Sequence, residues 1–275
     1  MSPETADTHN TPPIVGRRIV VILTAYNEAA RIEATLGALA AAFPGAPVWV
    51  ADDGSTDATA QLARQAGARV VRSERMIGKG AAATLAAREA LGDVAQNAWN
   101  ARTHAHARVR DRKSNGTHDD DDDGGGGEAA QDEPIFVLCD GDLAESAGRL
   151  GALVDAVRSG EADMAVAAFA TRVGGGAGLA VGFARWAIRR RCGLQMRAPI
   201  SGQRALRASV LEDVLPFARG FGMEIGMTID AVRAGHRIAE VELDLAHRAT
   251  GRTLSGFLHR GRQLVDFVRV YIARR

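Results

Sequence analysis

Short apolar runs alternate with helix-patterned segments over the first 92 residues, and this alternation constrains the fold more than any other feature of the chain. The run "RIVVILTA" precedes "EAARIEATLGALAAAF", "APVWVADD" precedes a segment that ends at Gly67, and "ARVVRS" precedes "GKGAAATLAAREAL". The runs have the length of buried strands, and the segments between them space their apolar residues as a helix does. Alternation with short connections is typical of a parallel sheet wound by right-handed crossovers. The sequence therefore predicts an α/β fold with a mostly parallel central sheet flanked by helices.

The remaining chain continues this pattern after one interruption. Further strands are predicted at "IFVLCD", "DMAVAAF" and "RIAEVELDL", and further helices at about 145–158, around 222–234 and from about 252. The interruption contains five consecutive aspartates and four consecutive glycines, a composition typical of disorder. The predicted organisation is a flexible leader at 1–17, a domain at 18–249 with a disordered insertion at 95–133, and a C-terminal amphipathic helix at 250–275.

Charge and cysteine content limit the classes of partner and compartment. The formal net charge of +1 gives no argument for nucleic acid. From residue 171 onward, however, 18 arginines stand against 8 acidic residues, which indicates either an anionic partner or a solvated basic face. The two cysteines, Cys139 and Cys192, do not suggest a disulfide framework, and neither a signal peptide nor a membrane span is visible. We therefore expect a cytoplasmic protein.

Polar side chains follow the predicted strands at the places where the strands end. In an open α/β sheet, ligands bind beyond the carboxyl ends of the strands, so these side chains are expected to line a site. Helix capping is the alternative for any one of them, especially in "DDGSTD". The residues are Tyr26, Asn27 and Glu28 after the first strand, Asp52 and Asp53 after the second, and Asp140 and Asp142 after the fourth.

Asp140 and Asp142 predict a divalent metal site. Two carboxylates in one turn supply the hard oxygen ligands that Mg²⁺ or Mn²⁺ prefers, and such a metal takes further ligands from substrate phosphates. Turn-forming and helix-capping aspartates are the alternative interpretation. Lys79 supports the metal–phosphate interpretation, because it is one of only two lysines and lies between Gly78 and Gly80, where the backbone can approach a phosphate at a helix start.

Four segments, in this order and spacing, resemble the family 2-like glycosyltransferases of the GT-A fold: "TAYNEAARI", "VADDGSTDAT", "GKGAA" and "CDGDL". The resemblance covers roughly residues 18–92 and 134–249. It implies a Rossmann-like sheet with a C-terminal extension on the acceptor side, and a nucleotide-diphosphate sugar donor. Asp140-Gly141-Asp142 then matches the DxD motif, with Asp142 as the direct and catalytic ligand of Mg²⁺ or Mn²⁺. The residues implied in nucleotide-sugar binding are Ala25, Asn27, Glu28, Asp52, Asp53, Lys79, Asp140 and Gly141.

The C-terminal half resembles two groups of such enzymes. "SGQRA" and "EVELDLAHRATGR" are similar to polyprenyl-phosphate sugar transferases, whereas "FARGFGMEIGMTID" followed by "AHR" is similar to glucosyl-3-phosphoglycerate synthases. In the latter group that histidine joins the metal, which implies His247 as a ligand; an ordinary strand-end histidine is the alternative. The segment "TRVGGGAGLAVGFARW" does not match the acceptor segment of those synthases. Both groups use phosphorylated acceptors, and the candidate acceptor-binding residues are Arg185, Arg204, Arg248 and Arg252.

Glu224 starts a predicted helix in "GFGMEIG". It is a candidate catalytic residue that binds a sugar hydroxyl or acts as a base on the acceptor. An ordinary first-turn glutamate, favoured by the helix dipole, is the alternative.

The sequence thus predicts a metal-dependent glycosyltransferase that moves a hexose, expected to be glucose, to a small phosphorylated acceptor such as 3-phosphoglycerate. A polyprenyl-phosphate glycosyltransferase at the membrane surface is the alternative. A nucleotidyltransferase is disfavoured because "TAYNEAAR" lacks a glycine-rich signature, and a non-catalytic sensor is disfavoured because the catalytic groups are all present. The last helix is expected to pack on the domain, with a homodimer or peripheral membrane contact as alternatives.

Overall fold

In the computed structural model, residues 19–114, 133–169, 178–245 and 265–274 are described. They form a seven-stranded sheet with the strand order β3-β2-β1-β4-β6-β5-β7. The strands are β1 (Ile19–Ala25), β2 (Val48–Asp52), β3 (Arg69–Arg72), β4 (Ile135–Asp140), β5 (Met164–Phe169), β6 (Arg204–Arg207) and β7 (Ile238–Leu243).

Strand direction places the ends of the strands at a common edge. β1 is parallel to β2 and β4, β2 is parallel to β3, and β5 is parallel to β7. β6 runs antiparallel to both of its neighbours, β4 and β5. The carboxyl ends of the other six described strands therefore meet at one edge of the sheet, together with the beginning of β6. The predicted α/β class with a mostly parallel sheet is confirmed.

Helices cover both faces of this sheet. The helices are α1 (Ile32–Ala42), α2 (Thr59–Gln65), α3 (Lys79–Ser114), α4 (Gly151–Arg158), α5 (Gly178–Cys192), α6 (Ala208–Val214), α7 (Met223–Arg233) and α8 (residues 265–273), with 3₁₀ helices at Ala144–Leu150 and Gly220–Gly222. Along β1, Val20 and Ile22 pack into one buried cluster and Val21 and Leu23 into another. Because successive strand residues point to opposite faces, an apolar run such as "IVVIL" is needed where both faces are covered.

Helix α3 is much longer than predicted. The sequence predicts an end near residue 92 and a disordered insertion from residue 95, but the helix continues to Ser114. Between residues 79 and 100, where burial is described, the last fully buried residue is Ala90, and residues 95–100 are mostly exposed. The helix was not predicted here because the stretch is polar and lacks the apolar periodicity by which a helix is recognised in a sequence. Residues 115–132 of the predicted insertion, like the predicted leader, lie outside the described residues.

The C-terminal helix α8 packs against α7 and the segment before it. Phe267 is fully buried and Val270 nearly so, and the Arg274 guanidinium pairs with Asp230 of α7. Three apolar side chains on the helix remain partly exposed, at Val265, Val268 and Ile272. Among the helices described, none is long and apolar enough to cross a membrane.

Candidate functional site

The site begins where β1 and β4 end side by side. Thr24 and Asp140 are partners in the parallel ladder, and the Thr24 hydroxyl donates to Asp140 Oδ1 at 2.9 Å. Thr24 lies two positions after Ile22, and Asp140 lies two positions after Leu138, so they point to the same sheet face as these residues. Ile22 and Leu138 pack on the face covered by α3 and α7. The strand register thus directs the Asp140 carboxylate towards the beginning of α3.

Lys79, the first residue of α3, bridges two carboxylates. Its ammonium lies 2.7 Å from Asp140 Oδ1 and 2.8 Å from Glu224 Oε1, although Glu224 follows it by 145 residues. Burial disfavours the charge of this ammonium, but Asp140 and Glu224 outweigh that effect and raise the pKa of Lys79 above its ordinary value. Lys79 is therefore a fixed cation at neutral pH, and it is the positive partner that stabilises the charge at the end of β4.

Asp140 is held on both oxygens. Besides the bonds from Lys79 and Thr24 to Oδ1, the Gln203 amide donates to Oδ2 at 2.9 Å. A side chain at neighbouring Gly202 would collide with this arrangement, because a Cβ there would lie 2.7 Å from Lys79 Nζ and 2.8 Å from Asp140 Oδ2. The turn "SGQ" before β6 is thus shaped to receive the ion pair.

Asp142 differs from Asp140, because its carboxylate makes no hydrogen bond or ion pair with the residues that the structure describes. No group of three or more His, Cys, Asp or Glu side chains in the described ranges is arranged to hold a metal. Mg²⁺ in proteins is usually bound by one or two carboxylates together with substrate phosphates. A hard carboxylate that is half-exposed and not engaged fits a divalent cation.

Asp53 positions the loop that carries Lys79. Its carboxylate accepts from the backbone N–H groups of Ile77 and Gly78, at distances from 2.7 to 3.1 Å. Burial raises the pKa of Asp53, although these two hydrogen bonds oppose the increase. Gly78 has a φ of +96°, a left-handed conformation that favours glycine. The role of Asp53 is therefore at least partly to hold the loop that leads into α3.

These groups surround a cavity of about 450 Å³, within the usual size range of small-ligand sites. Six of the eight residues predicted from the sequence for the nucleotide sugar line it, and so does the predicted metal ligand Asp142. The cavity is lined by Thr24, Ala25, Tyr26, Glu28, Ala51, Asp53, Lys79, Ala82, Asp140, Gly141, Asp142 and Phe221.

Three predicted residues lie beside the cavity and do not form its wall. Asn27 adopts a left-handed φ of 55°, and its side-chain oxygen accepts from the backbone N–H of Thr56 at 2.8 Å. Asp52 is completely buried and accepts from the backbone N–H of Ser55. Glu224 is 5% exposed and reaches the cavity only through Lys79. All three thus fix the local geometry of the site.

Two of the four predicted acceptor-binding arginines, Arg185 and Arg204, lie among the described residues, and no described contact joins them. Arg185 is exposed on α5 and donates to the backbone carbonyl of Arg197. Arg204 is completely buried, which contradicts the prediction that it contacts the acceptor. β6 lies between β4 and β5, and its first residue faces α7, so the Arg204 side chain enters the core. The predicted metal ligand His247, and the other two acceptor candidates, Arg248 and Arg252, lie outside the described residues.

Sequence reasoning missed Thr24, Gln203 and Phe221. Thr24 has a local signal, since it is a polar residue inside an apolar strand, two positions after Ile22 on the same face. Gln203 and Phe221 have none, because their places depend on contacts with β4 and α3, which are distant in sequence.

Comparison with known proteins agrees with this geometry. A family model for glycosyl transferase family 2 matches residues 20–111. A structure of glucosyl-3-phosphoglycerate synthase from Mycobacterium tuberculosis with phosphoglyceric acid is 28% identical, with a TM-score of 0.65 over 94% of this chain and 80% of that chain. The chain is a glycosyltransferase of the GT-A fold.

Other structures of the same mycobacterial enzyme resemble this glycosyltransferase equally well. One contains Mn²⁺, UDP-glucose and phosphoglyceric acid, at 28% identity, a TM-score of 0.64 and the same coverage. Another contains Mn²⁺, UDP and glucosyl-3-phosphoglycerate, at 26% identity, a TM-score of 0.63 and coverage of 97% of this chain and 86% of that chain. Comparison with curated protein sequences gave no match. The nucleotide-sugar class of enzyme predicted from the sequence is confirmed.

Proposed function

We propose that this enzyme transfers glucose from UDP-glucose to 3-phosphoglycerate in a reaction that requires Mg²⁺ or Mn²⁺. One observation carries the proposal: the likeness to the mycobacterial synthase extends over 94% of the chain and therefore includes both the donor half and the acceptor half of the fold. The basic C-terminal part of the chain supports an acceptor that carries phosphate and carboxylate groups.

Lys79 is the group proposed to bind the diphosphate of the donor. An ammonium has three N–H donors, and two of them are used by Asp140 and Glu224. The third is available to a phosphate in the cavity that Lys79 lines. Because the two carboxylates hold the ammonium in place before the donor arrives, little reorganisation is needed when charge develops on the leaving group.

Asp142 is proposed to hold the metal, with His247 as a second ligand. The metal, when bound, supplies positive charge that stabilises the diphosphate as it leaves. Asp140 supports this arrangement from its fixed position, because it neutralises Lys79 and keeps the turn that carries Asp142 attached to β1. The protein thus presents one cation and one open carboxylate to the same end of the donor.

The bond changes balance without a further reactant. The acceptor hydroxyl oxygen forms a bond to the anomeric carbon, the bond from that carbon to the β-phosphate oxygen breaks, and UDP leaves with the electron pair. The proton of the hydroxyl is released. Glu224 is not on the cavity wall in this structure, so its proposed role is to position Lys79.

A donor-by-acceptor activity matrix tests the proposal. UDP-glucose, GDP-glucose and GDP-mannose are each incubated with 3-phosphoglycerate or a short polyprenyl phosphate, with Mn²⁺ or with EDTA. We expect transfer for UDP-glucose with 3-phosphoglycerate and Mn²⁺, and at least a hundredfold less in EDTA. Transfer to 3-phosphoglycerate from none of the donors would contradict the acceptor assignment.

A polyprenyl-phosphate acceptor is the second candidate. Two observations favour it: the segment "SGQRA", and the partly exposed apolar side chains Val265, Val268 and Ile272 on α8. An amphipathic helix of this kind can lie at a bilayer surface. Salt-sensitive binding to anionic liposomes, together with transfer only to the lipid phosphate, would favour this candidate over the first.

A further inference from the structure

Arg204 is the largest side chain that the fold buries completely. It is the first residue of β6, and its side chain lies on the sheet face covered by α7. Nε donates to the backbone carbonyl of Ser201 and Nη1 to the hydroxyl of Thr228, each at 3.0 Å. Nη2 is buried and has no hydrogen-bond partner among the described residues. A guanidinium in this position is a feature that a stable core does not require.

A buried cation of this kind is expensive unless nearby negative charge offsets the lost hydration. Burial lowers the pKa of Arg204 to about 10, while Glu224 and Glu240 act in the opposite direction. Arg204 is therefore charged at neutral pH, and the carboxylate of Glu224 is the first of the two that stabilise it. The residue that offsets the unfavourable burial of Arg204 is therefore the same one that holds Lys79, namely Glu224.

Hydrogen bonds join Arg204 to the same helix turn. The Thr228 hydroxyl accepts from Arg204 and donates to the backbone carbonyl of Glu224 at 2.9 Å. The Glu224 side chain then accepts from Lys79, and Lys79 in turn binds Asp140. Signs alternate along this row of side chains, from the Arg204 cation through Glu224 and Lys79 to Asp140.

Gln203 and Arg204, which are adjacent at the beginning of β6, thus interact with the two carboxylates that hold Lys79. Gln203 bonds to Asp140 directly, whereas Arg204 stabilises the charge of Glu224 and is joined to its helix turn through Thr228. Without the guanidinium, the Glu224 carboxylate would lose one of the cations that stabilise it, and the position that it gives to Lys79 would change. The third donor of Lys79 would then be misplaced for a phosphate.

We infer that Arg204 is a positioning residue, whose buried guanidinium holds Glu224 so that Glu224 fixes Lys79 at the cavity. It contacts no substrate. The kinetic consequence rests on the proposed function, because Lys79 is there assigned to the diphosphate of the donor.

Three variants and a control test this inference in the full-length enzyme. Arg204→Met keeps the volume and removes the charge, Arg204→Lys keeps the charge, and Thr228→Val removes only the hydroxyl that links Arg204 to α7. Arg207→Met is the matched control, since Arg207 lies on the same strand, pairs with Asp163 and does not contact the row that ends at Asp140.

Kinetics give the first measurement. We expect Arg204→Met to lower kcat at least tenfold while KM for UDP-glucose changes less than threefold, and Arg204→Lys to recover at least threefold in kcat. Thr228→Val is expected to lower kcat by a smaller factor, and Arg207→Met to leave kcat unchanged. Equal kcat values for Arg204→Met and the wild type would overturn the inference.

The second measurement is an NMR experiment on the enzyme without donor substrate. It is practicable because the chain has only two lysines, Lys79 and Lys113. With ¹⁵N-labelled lysine, the Lys79 ammonium gives one of two side-chain signals, assigned by Lys113→Arg. We expect this signal to shift in Arg204→Met and Thr228→Val and to stay in place in Arg207→Met. An unshifted signal in folded Arg204→Met, or in Thr228→Val if the former does not fold, would refute the positioning role.

The two measurements separate the two proposals. If the wild type transfers no glucose from UDP-glucose, the proposed function fails, and the lysine signals alone decide the role of Arg204. If the wild type is active and the signals do not shift, the inference about Arg204 fails and the proposed function stands.

Discussion

Two aspartates that are neighbours in "CDGDL" have opposite electrostatic surroundings. Asp140 is neutralised by Lys79 and bonded by Thr24 and Gln203, whereas the carboxylate of Asp142 has no partner in the part of the chain that is described. A carboxylate at the end of a buried strand is tolerated only when it is paired, and Lys79 provides that pairing. The residue that the fold leaves unpaired is the one available for chemistry.

Asp142→Ala is predicted to lose at least two orders of magnitude in kcat, the scale expected when a principal electrostatic group is removed. The melting temperature should change little, because the carboxylate makes no described contact that would be lost. Steady-state kinetics with Mn²⁺ and thermal denaturation measure the two effects. Undiminished activity of this variant in EDTA would refute a metal role for Asp142.

Gly202→Ala is predicted to displace the ion pair between Lys79 and Asp140. The new Cβ would lie within 3 Å of both charged groups, so the two side chains must move. We expect kcat to fall at least tenfold with a modest loss of stability. Gly37→Ala in α1 is the control, since a Cβ there meets nothing within 4 Å and a helical glycine replaced by alanine should add about 0.5–1 kcal/mol of stability. A fully active Gly202→Ala enzyme would mean that this close approach has no role in the site.

At the scale of elements, α8 supports the segment that carries Phe221 and Glu224. Glycines line this contact, at Gly220 against Asp266, Gly222 against Val270 and Gly226 against Arg274. The Asp266 carboxylate also accepts from the backbone N–H of Phe221, a residue of the cavity wall. The last helix is therefore tied to the donor cavity through the segment between them.

Gly222→Ala is predicted to cost about 1–3 kcal/mol of unfolding free energy through overpacking, because its Cβ would lie 2.2 Å from a methyl carbon of Val270. Its φ of −78° is accessible to any residue, so glycine is required here only because Val270 leaves no room for a Cβ. Val270→Ala removes that methyl group, and the double variant should lose less stability than the sum of the single variants. Chemical denaturation of the four proteins measures this coupling, and strict additivity would show that the helices do not meet as described.

At the scale of the whole molecule, Asp163 joins three strands at the edge opposite the cavity. Its carboxylate binds the Arg237 guanidinium and backbone N–H, with Arg207 at 3.5 Å. Burial alone would raise the pKa of Asp163, but the bonds from Arg237 and the charges of both arginines lower it below its ordinary value.

Asp163→Asn is accordingly predicted to lose about 1.5–3 kcal/mol of stability at pH 7, the range for a hydrogen bond to a charged group. Because the folded-state pKa is depressed, this contribution is complete above the ordinary aspartate value of 3.8 and is lost as pH falls through the lower folded-state value. The difference in stability between wild type and variant should therefore vanish in strong acid. A difference that is constant from pH 7 to pH 2 would contradict this role.

The sequence predicted six of the seven described strands and much of the cavity, but it did not predict β6 or the network behind the cavity. Runs such as "IVVILTA" and "IFVLCD" identify strands that are buried on both faces, and the polar residues after them necessarily meet at one edge. The partner of Glu224 could not be predicted, since Lys79 is 145 residues away. Arg204 was misassigned because its strand has only four residues, too few to show which positions face the core. The polar extension of α3 resembles disorder in composition alone.

The position of β6 between β4 and β5 also has a consequence for the order in which the chain is made. The ribosome releases β1 to β4 first, and these strands can form one half of the sheet with its helices. Until β6 follows, the strand "IFVLCD" presents an unpaired apolar edge, the kind of surface that promotes aggregation. The last residue of β6 emerges 67 residues after the end of β4, a delay of roughly 3–13 s at ordinary translation rates. The segment that bonds to Asp140 through Gln203 thus leads into the strand that closes this exposed edge, and the edge is covered before Phe221 and Glu224 are added to complete the cavity and its ion pairs.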